Sequence, residues 1–266
     1  MPETPGFYTT QLQAGLGMVE ETRLLLGLYQ PGMNSAQLCD AALGSGQFPL
    51  VSARRLRNIV AECFAPRYLK HEAAVHLKPL AEVLPTRELV QFLLVFTAQA
   101  NRILADFIRD IYWPSYSAGR PGINKTEATD FVKNAVRDGK TRTPWSESTV
   151  RRVSGYLLGC CADFGLVSAG RSSTRHIQAV RIQPMTVLFF AYHLHFSALS
   201  DHAVLSHDLW GLFGLEPADV REEFKRLASN GWWIIQSAAG STRLTWPLPN
   251  MEEVTRVIAA PVSNQG

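Results

Sequence analysis

Seven basic side chains stand between residues 140 and 181: Lys140, Arg142, Arg151, Arg152, Arg171, Arg175 and Arg181. Only Glu147 and Asp163 oppose them, so the stretch carries five net positive charges in a chain whose total is +3. Hydroxyls are interleaved with them, Ser148 before the first arginine pair and Ser172, Ser173 and Thr174 between Arg171 and Arg175. A guanidinium can pair with a phosphate or fork onto the edge of guanine, and small hydroxyls bond phosphate oxygens. Binding of a polyanion is the chemistry this set can do. The expected contacts to nucleic acid are Lys140, Arg142, Ser148, Arg151, Arg152, Arg171, Ser172, Ser173 and Arg175.

Bond-making chemistry has no comparable set of residues. The chain has no G-x-x-x-x-G-K-S/T loop, no G-x-G-x-x-G and no G-x-S-x-G. The histidine-rich patch of His193, His195, Asp201, His202, His207 and Asp208 is the one metal-like candidate. On a helix, however, His193 and His195 would point about 200° apart, and no H-x-x-x-H pair joins them. We expect no metal, no cofactor and no enzymatic activity. Cys39, Cys63, Cys160 and Cys161 lack C-x-x-C spacing and read as buried, reduced thiols.

The N-terminus shows no positive segment followed by an apolar run, so no signal peptide is expected. The most apolar stretch, residues 185–199, is shorter than the roughly 20 residues a membrane helix requires. A cytoplasmic location and no membrane partner are the expectations. Hydrophobic content of 46% and charged content of 18% fit a folded chain with a sizeable core.

The elements that must position the basic residues run in a recognisable order. From Asn124 to Pro184 come a polar helix (TEATDFVKNAVRDG), a basic turn (KTRTPW), a second helix opened by Ser146, and a hairpin (SAGRSSTRHIQAVRIQP). Helix, turn, helix and a two-stranded wing predict a winged helix. Val150, Val153, Leu157, Cys160, Cys161 and Phe164 form the inward stripe of the second helix, leaving Ser148, Arg151, Arg152 and Gly155 outward. In the hairpin, Ile177, Ala179 and Ile182 are expected to pack inward, with Arg171 and Arg175 near the tip.

Residues 205–248 repeat the plan in outline: a short helix, Gly214-Leu215, a helix opened by Pro217 and a hairpin WWIIQSAAGSTRLTWPL. Its second helix mixes Asp219, Glu222 and Glu223 with Arg221, Lys225 and Arg226, so it lacks a one-signed face. Towards the N-terminus, Asn34 caps a short helix and Ser52 caps SARRLRNIVAECFAPRYL, whose Arg54, Arg55 and Arg57 lie off or beside the apolar stripe. That pair reads either as a helix-turn-helix with a second nucleic-acid contact or as the solvated face of a bundle helix. Residues 86–113 predict one long buried helix ended by Trp113-Pro114. The expected fold is mainly α: an all-helical domain with helix-turn-helix character (1–116), a basic winged-helix-like unit (117–184) and a second such unit (185–266), each with a small β-hairpin.

Several stretches together resemble the BrxA family of BREX phage-defence systems: YTTQLQAGLGMVEETRLLLGLY, SARRLRNIVAECFAPRYL, FTAQANRILADFIRDIYWP and TRTPWSESTVRRVSGYLLGCCADFGLVS, over about residues 8 to 184. The resemblance implies an all-helical, cytoplasmic, non-enzymatic defence protein, likened to the NusB antitermination factor and linked to double-stranded DNA, with other BREX components as partners. An inner-membrane label has also been attached to the family, and no adequate apolar span supports it here. A basic helical surface does not by itself separate DNA from RNA, so a NusB-like RNA-binding role stays open. So does a structural adaptor role in which the second winged unit holds a defence partner.

Overall fold

The basic helix forms where the apolar spacing places it. In the computed structural model, which describes residues 6–14, 16–170, 172–238 and 241–260, α9 spans Glu147–Asp163. Ser146 caps it by accepting the Thr149 N–H at 3.3 Å, and all six residues of the inward stripe are buried. Its partner, α8 (Lys125–Arg137), buries Ala128, Val132 and Ala135. At the start of α8 the Asn124 side chain accepts the Glu127 N–H while the Glu127 carboxylate accepts the Asn124 N–H, both at 2.9 Å. This reciprocal cap satisfies two backbone donors that a helix start otherwise leaves open.

Arg120 adds an ion pair to Glu127. That hydrogen bond is the main reason the Glu127 carboxyl is held below its ordinary 4.5, with burial acting the other way. A depressed folded-state pKa stabilises the fold fully above about pH 4.5, and the contribution is lost as pH falls through the lower, folded value. Glu127→Gln should therefore cost stability near neutrality and progressively less in acid. Urea midpoints of wild type and variant should converge between about pH 6 and about pH 3. A constant gap at every pH would count against this coupling.

The chain forms two units, one of residues 1–75 with 93–180 and the other of residues 76–92 with 181–266. In the first, α1 (Val19–Leu28) and α2 (Ser35–Gly44) precede α3 (Ala53–Asn58), which continues without a stop as a π-helical segment, Ile59–Leu69. The wider π turns carry Pro66 inside the segment, where an α-helix would lose a hydrogen bond and clash. Leu56, Ile59, Val60, Cys63, Phe64 and Tyr68 are its buried stripe. α4 (Ala73–Val83) and α5 (Thr86–Ala100) follow, and the division between the units falls inside each of them.

The single long helix expected over residues 86–113 is interrupted. Asn101 leaves helical geometry (φ −133°, ψ 81°), and its side-chain amide donates to the Thr97 carbonyl at 2.9 Å. A short polar side chain that bonds the backbone locally competes with the helix ladder, which apolar periodicity does not report. The chain resumes as α6 (Arg102–Phe107), a π-helical turn (Ile108–Tyr112) and α7 (Trp113–Ser117). Pro114 does not end the run; it sits in the first turn of α7, where its missing N–H is not needed.

The small sheet beside α9 has one more partner than the hairpin reading supplied. β1 (Gly122–Asn124) pairs antiparallel with β2 (Thr174–His176), opposing Gly122 to His176 and Asn124 to Thr174. On the other edge, Val167 bridges Ile177, and the Ser168 amide donates to the His176 carbonyl at 2.8 Å. Gly122 is required by this closeness, since a Cβ there would lie 2.6 Å from the Arg175 carbonyl oxygen. Ala179 is exposed rather than inward, because the chain has left the sheet by that point.

A strap at the N-terminus holds both ends of the α8–α9 pair. The Tyr8 amide donates to the Lys140 carbonyl at 2.7 Å, and its hydroxyl donates to Asp106. The Gly17 amide donates to the Asp163 carboxylate at 2.9 Å, and a Cβ at residue 17 would sit 2.5 Å from the Asp163 Cβ. Gly17→Ala is thus expected to destabilise the first unit by about 1–3 kcal/mol through overpacking. Chemical denaturation checks this, and an unchanged midpoint would show that the strap yields freely.

The second unit is built on α10 (Pro184–Phe196), buried nearly all round from Thr186 to Tyr192. Gln91 ties residues 76–92 to its start: the side-chain amide donates to the Arg181 carbonyl at 2.8 Å, while its oxygen accepts the Gln183 N–H and the Thr186 hydroxyl. α11 (Asp201–Leu205), a 3₁₀ turn (Asp208–Phe213), α12 (Pro217–Ala228) and the antiparallel pair β3 (Ile234–Ala238) and β4 (Ser241–Thr245) follow. A last helix, α13 (Met251–Ala259), packs on α10. It was not anticipated, although Asn250 caps it by accepting the Glu253 N–H.

Candidate nucleic-acid interface

α9 turns one face to solvent, and its residues arrive there by helical spacing. Ser148, Arg151, Arg152 and Gly155 lie at i, i+3, i+4 and i+7, and all four are exposed. Neither arginine takes part in an ion pair among the described residues; the Arg152 guanidinium reaches only the Thr149 hydroxyl, at 3.5 Å. Ser146, Ser148 and Thr149 form a hydroxyl cluster at the helix start, with oxygens 3.0 Å apart. Thr149 was missed in the sequence, although the S-E-S-T run at a helix start signals it. Arg142, in the turn before α9, is also exposed and outside any ion pair among the described residues.

The other expected contacts are placed differently. Ser172 and Ser173 are exposed in the connection before β2, where the Ser172 hydroxyl accepts the Thr174 N–H at 3.3 Å. Arg171 lies outside the described residues. Arg175 is not at a tip: it sits mid-strand opposite Ile123, half-buried, and its guanidinium donates to the Ser168 carbonyl at 3.1 Å. Lys140 lines a cleft of about 340 Å³ with Asp110, Glu127, Asp130 and Asp138, and its ammonium lies 5.6 Å from the Tyr8 ring centre. Lys140 makes no ion pair among the described residues, but the acidic lining of this cleft offsets part of its field at a phosphate. Burial, followed by repulsion from Asp106, raises the Asp110 pKa.

Arg54, Arg55 and Arg57 are exposed at the start of α3, which Ser52 caps through the Arg55 N–H at 3.3 Å. They too are outside any ion pair among the described residues.

In the second unit the corresponding helix neutralises itself. On α12, Lys225 pairs with Glu222 at 2.8 Å and Arg226 with Glu223 at 2.6 Å. The tryptophans are structural: Trp233 stacks on Phe224, and Trp246 donates to Asp201 and stacks on His195 at 4.5 Å. Three histidines of the metal-like patch have packing or capping contacts, His193 lying parallel to Phe189, His195 against Trp246 and His207 accepting the Leu209 N–H. Burial lowers the His195 pKa, against the pull of Asp201. The thiols are interior, and burial pushes Cys160 up to about 12, which suppresses the thiolate.

Among the described residues these features define a mainly helical protein with two small antiparallel sheets and a cationic helix face outside any ion pair. A family model for BrxA matches residues 7–193, so the chain belongs to the BrxA family, which is associated with BREX systems. The fold is similar to the crystal structure of an uncharacterized protein from Magnetospirillum magneticum: TM-score 0.59 and 15% identity, covering 77% of this chain and 97% of that one. No curated protein matches the chain. Among the described residues, no helix is long and apolar enough to cross a membrane.

Proposed function

We propose that the protein is a non-enzymatic, cytoplasmic, double-stranded DNA-binding component of a BREX-type phage-defence system. The outward face of α9 carries this reading: two unpaired arginines and three hydroxyls at the N-terminal end of a capped helix. The order α7, β1, α8, α9 and then a hairpin arm returning through β2 is that of a winged helix, in which α9 takes the place of the groove-reading element. Guanidinium groups without carboxylate partners are free to replace the counterions condensed on a duplex. In the second unit the order α11, α12, β3, β4 follows the same plan. The paired charges of α12 suit it to holding another defence component better than to phosphate.

The test is binding of the wild type to duplex DNA, single strands and RNA hairpins between about 50 and about 200 mM salt. Duplex DNA should bind most tightly, with affinity falling steeply as salt rises. Preference for structured RNA would overturn the DNA assignment in favour of a NusB-like role, and no binding at about 150 mM salt would leave an adaptor.

A further inference from the structure

The turn between α2 and α3 displays Leu50, the most exposed large apolar side chain among the described residues at 98%. Isolated exposed leucines are ordinary on protein surfaces. This one is held out by a built turn. Phe48 is buried and anchors the loop, and the Val51 amide donates back to the Phe48 carbonyl at 3.1 Å, closing a tight turn over Pro49 and Leu50. Pro49 stands at the turn position where a fixed φ is favoured, which stiffens the tip. Ser52 then caps α3 and sets Arg54, Arg55 and Arg57 close behind Leu50. No acidic residue occurs from 41 to 61, so the surroundings of Leu50 in the sequence are purely cationic.

We propose that Leu50 is a wedge that enters a base step of duplex DNA and kinks it, while the α3 arginines hold the flanking phosphates. This rests on the duplex-binding reading given above. A rigid apolar tip backed by guanidinium groups matches what a stacked, polyanionic partner offers: an apolar gap between bases, framed by phosphates on both sides. Side chains of this kind partly unstack a step and bend the helix, most easily at pyrimidine–purine steps. A protein pocket accepting Leu50 would have no need of the three unpaired arginines around it.

The experiment uses the full chain and a duplex with 2-aminopurine at its TA steps and a dye on each end. Wild-type binding should raise the 2-aminopurine emission and shorten the end-to-end distance. Leu50→Ser should abolish both signals and weaken binding to the intact duplex about tenfold. Its salt slope should stay unchanged, because no charge is removed. On a duplex with a mismatch, already unstacked, the loss should be smaller. Leu50→Met should behave as wild type. Because Leu50 touches no core, thermal unfolding of the serine variant should match wild type. Equal duplex affinity and equal emission in the serine variant would overturn the wedge alone, as would wild-type binding that neither bends nor brightens the duplex. Failure of the wild type to bind any duplex would remove the DNA-binding reading and the wedge with it.

Discussion

Replacing Arg151 and Arg152 together by alanine should flatten the log–log salt dependence of duplex binding by about 1.8 units, at about 0.9 per lost phosphate contact. Affinity should fall at low salt by at least tenfold, roughly 1.4 kcal/mol. Both side chains are exposed and outside any ion pair among the described residues, so stability should change by no more than about 0.5 kcal/mol. That separation makes the variant informative. Lysine at both positions should restore most of the slope, because the electrostatic contact survives, but less of any preference among duplex sequences, because the bidentate fork is gone. A companion variant, Arg54/Arg55/Arg57→Ala, asks whether α3 engages the same duplex. If it does, the two slope changes add. An unchanged slope in the Arg151/Arg152 variant would remove α9 from the interface whatever α3 does.

The largest stability effect is expected in the second unit, at Trp233. This side chain is 1% exposed, stacks on Phe224 with centroids 4.5 Å apart, and donates its indole N–H to the Phe224 carbonyl at 2.9 Å. It therefore anchors the start of β3 to the last turns of α12. Trp233→Ala removes the ring with its stacking and hydrogen-bond contacts and leaves a cavity, a loss of about 3–5 kcal/mol. Trp233→Phe keeps the stack and loses the hydrogen bond, with an expected cost of about 1–2 kcal/mol. The whole stability of a domain is about 5–15 kcal/mol, so the alanine variant should leave this unit partly unfolded under mild denaturant. Denaturant titration followed by near-ultraviolet circular dichroism reads this directly. A loss below about 1 kcal/mol in the alanine variant would mean that the hairpin is held by Asp201, which accepts the Leu244 amide at 2.8 Å, rather than by the tryptophan.

Helix starts were legible in the sequence because their chemistry is local. Asn34, Ser52 and Ser146 each cap the helix their side chain suggested. The outward set on α9 was legible for the same reason, since a 3.6-residue period needs no knowledge of the rest of the chain. What escaped depended on distant partners or on local competition with the ladder. Gly122 and its neighbours form a strand only because residues fifty positions later lie alongside, and that same pairing draws Arg175 into the sheet. Of the carboxylates around Lys140, Asp138 is a sequence neighbour, but Glu127 and Asp130 come from α8 and Asp110 from the π-helical turn before α7, so most of its charge environment could not be read locally. Asn101 breaks a helix that its flanking apolar residues would continue. Residues 76–92 group with the C-terminal part through partners some ninety positions away, Gln91 bonding Arg181, Gln183 and Thr186 and Phe92 packing on Phe189 and Phe190. α13 is the exception, a miss with a local signal in Asn250 and Glu253.

The four cysteines, Cys39, Cys63, Cys160 and Cys161, are all buried and all belong to the first unit, whereas the six tryptophans divide, Trp113 and Trp145 in the first and Trp210, Trp232, Trp233 and Trp246 in the second. The thiols are thus a built-in probe of one part of the chain alone. A thiol reagent can react only when α2, the segment following α3 or α9 opens, so its labelling rate clocks excursions of the first unit without any engineered tag. Trp145 stands two residues before α9, so indole emission also reports on the first unit. A ligand gripped by α9 should slow the thiol clock at Cys160 and Cys161 and alter the emission of Trp145, which gives two readouts of one event in a single unmodified sample.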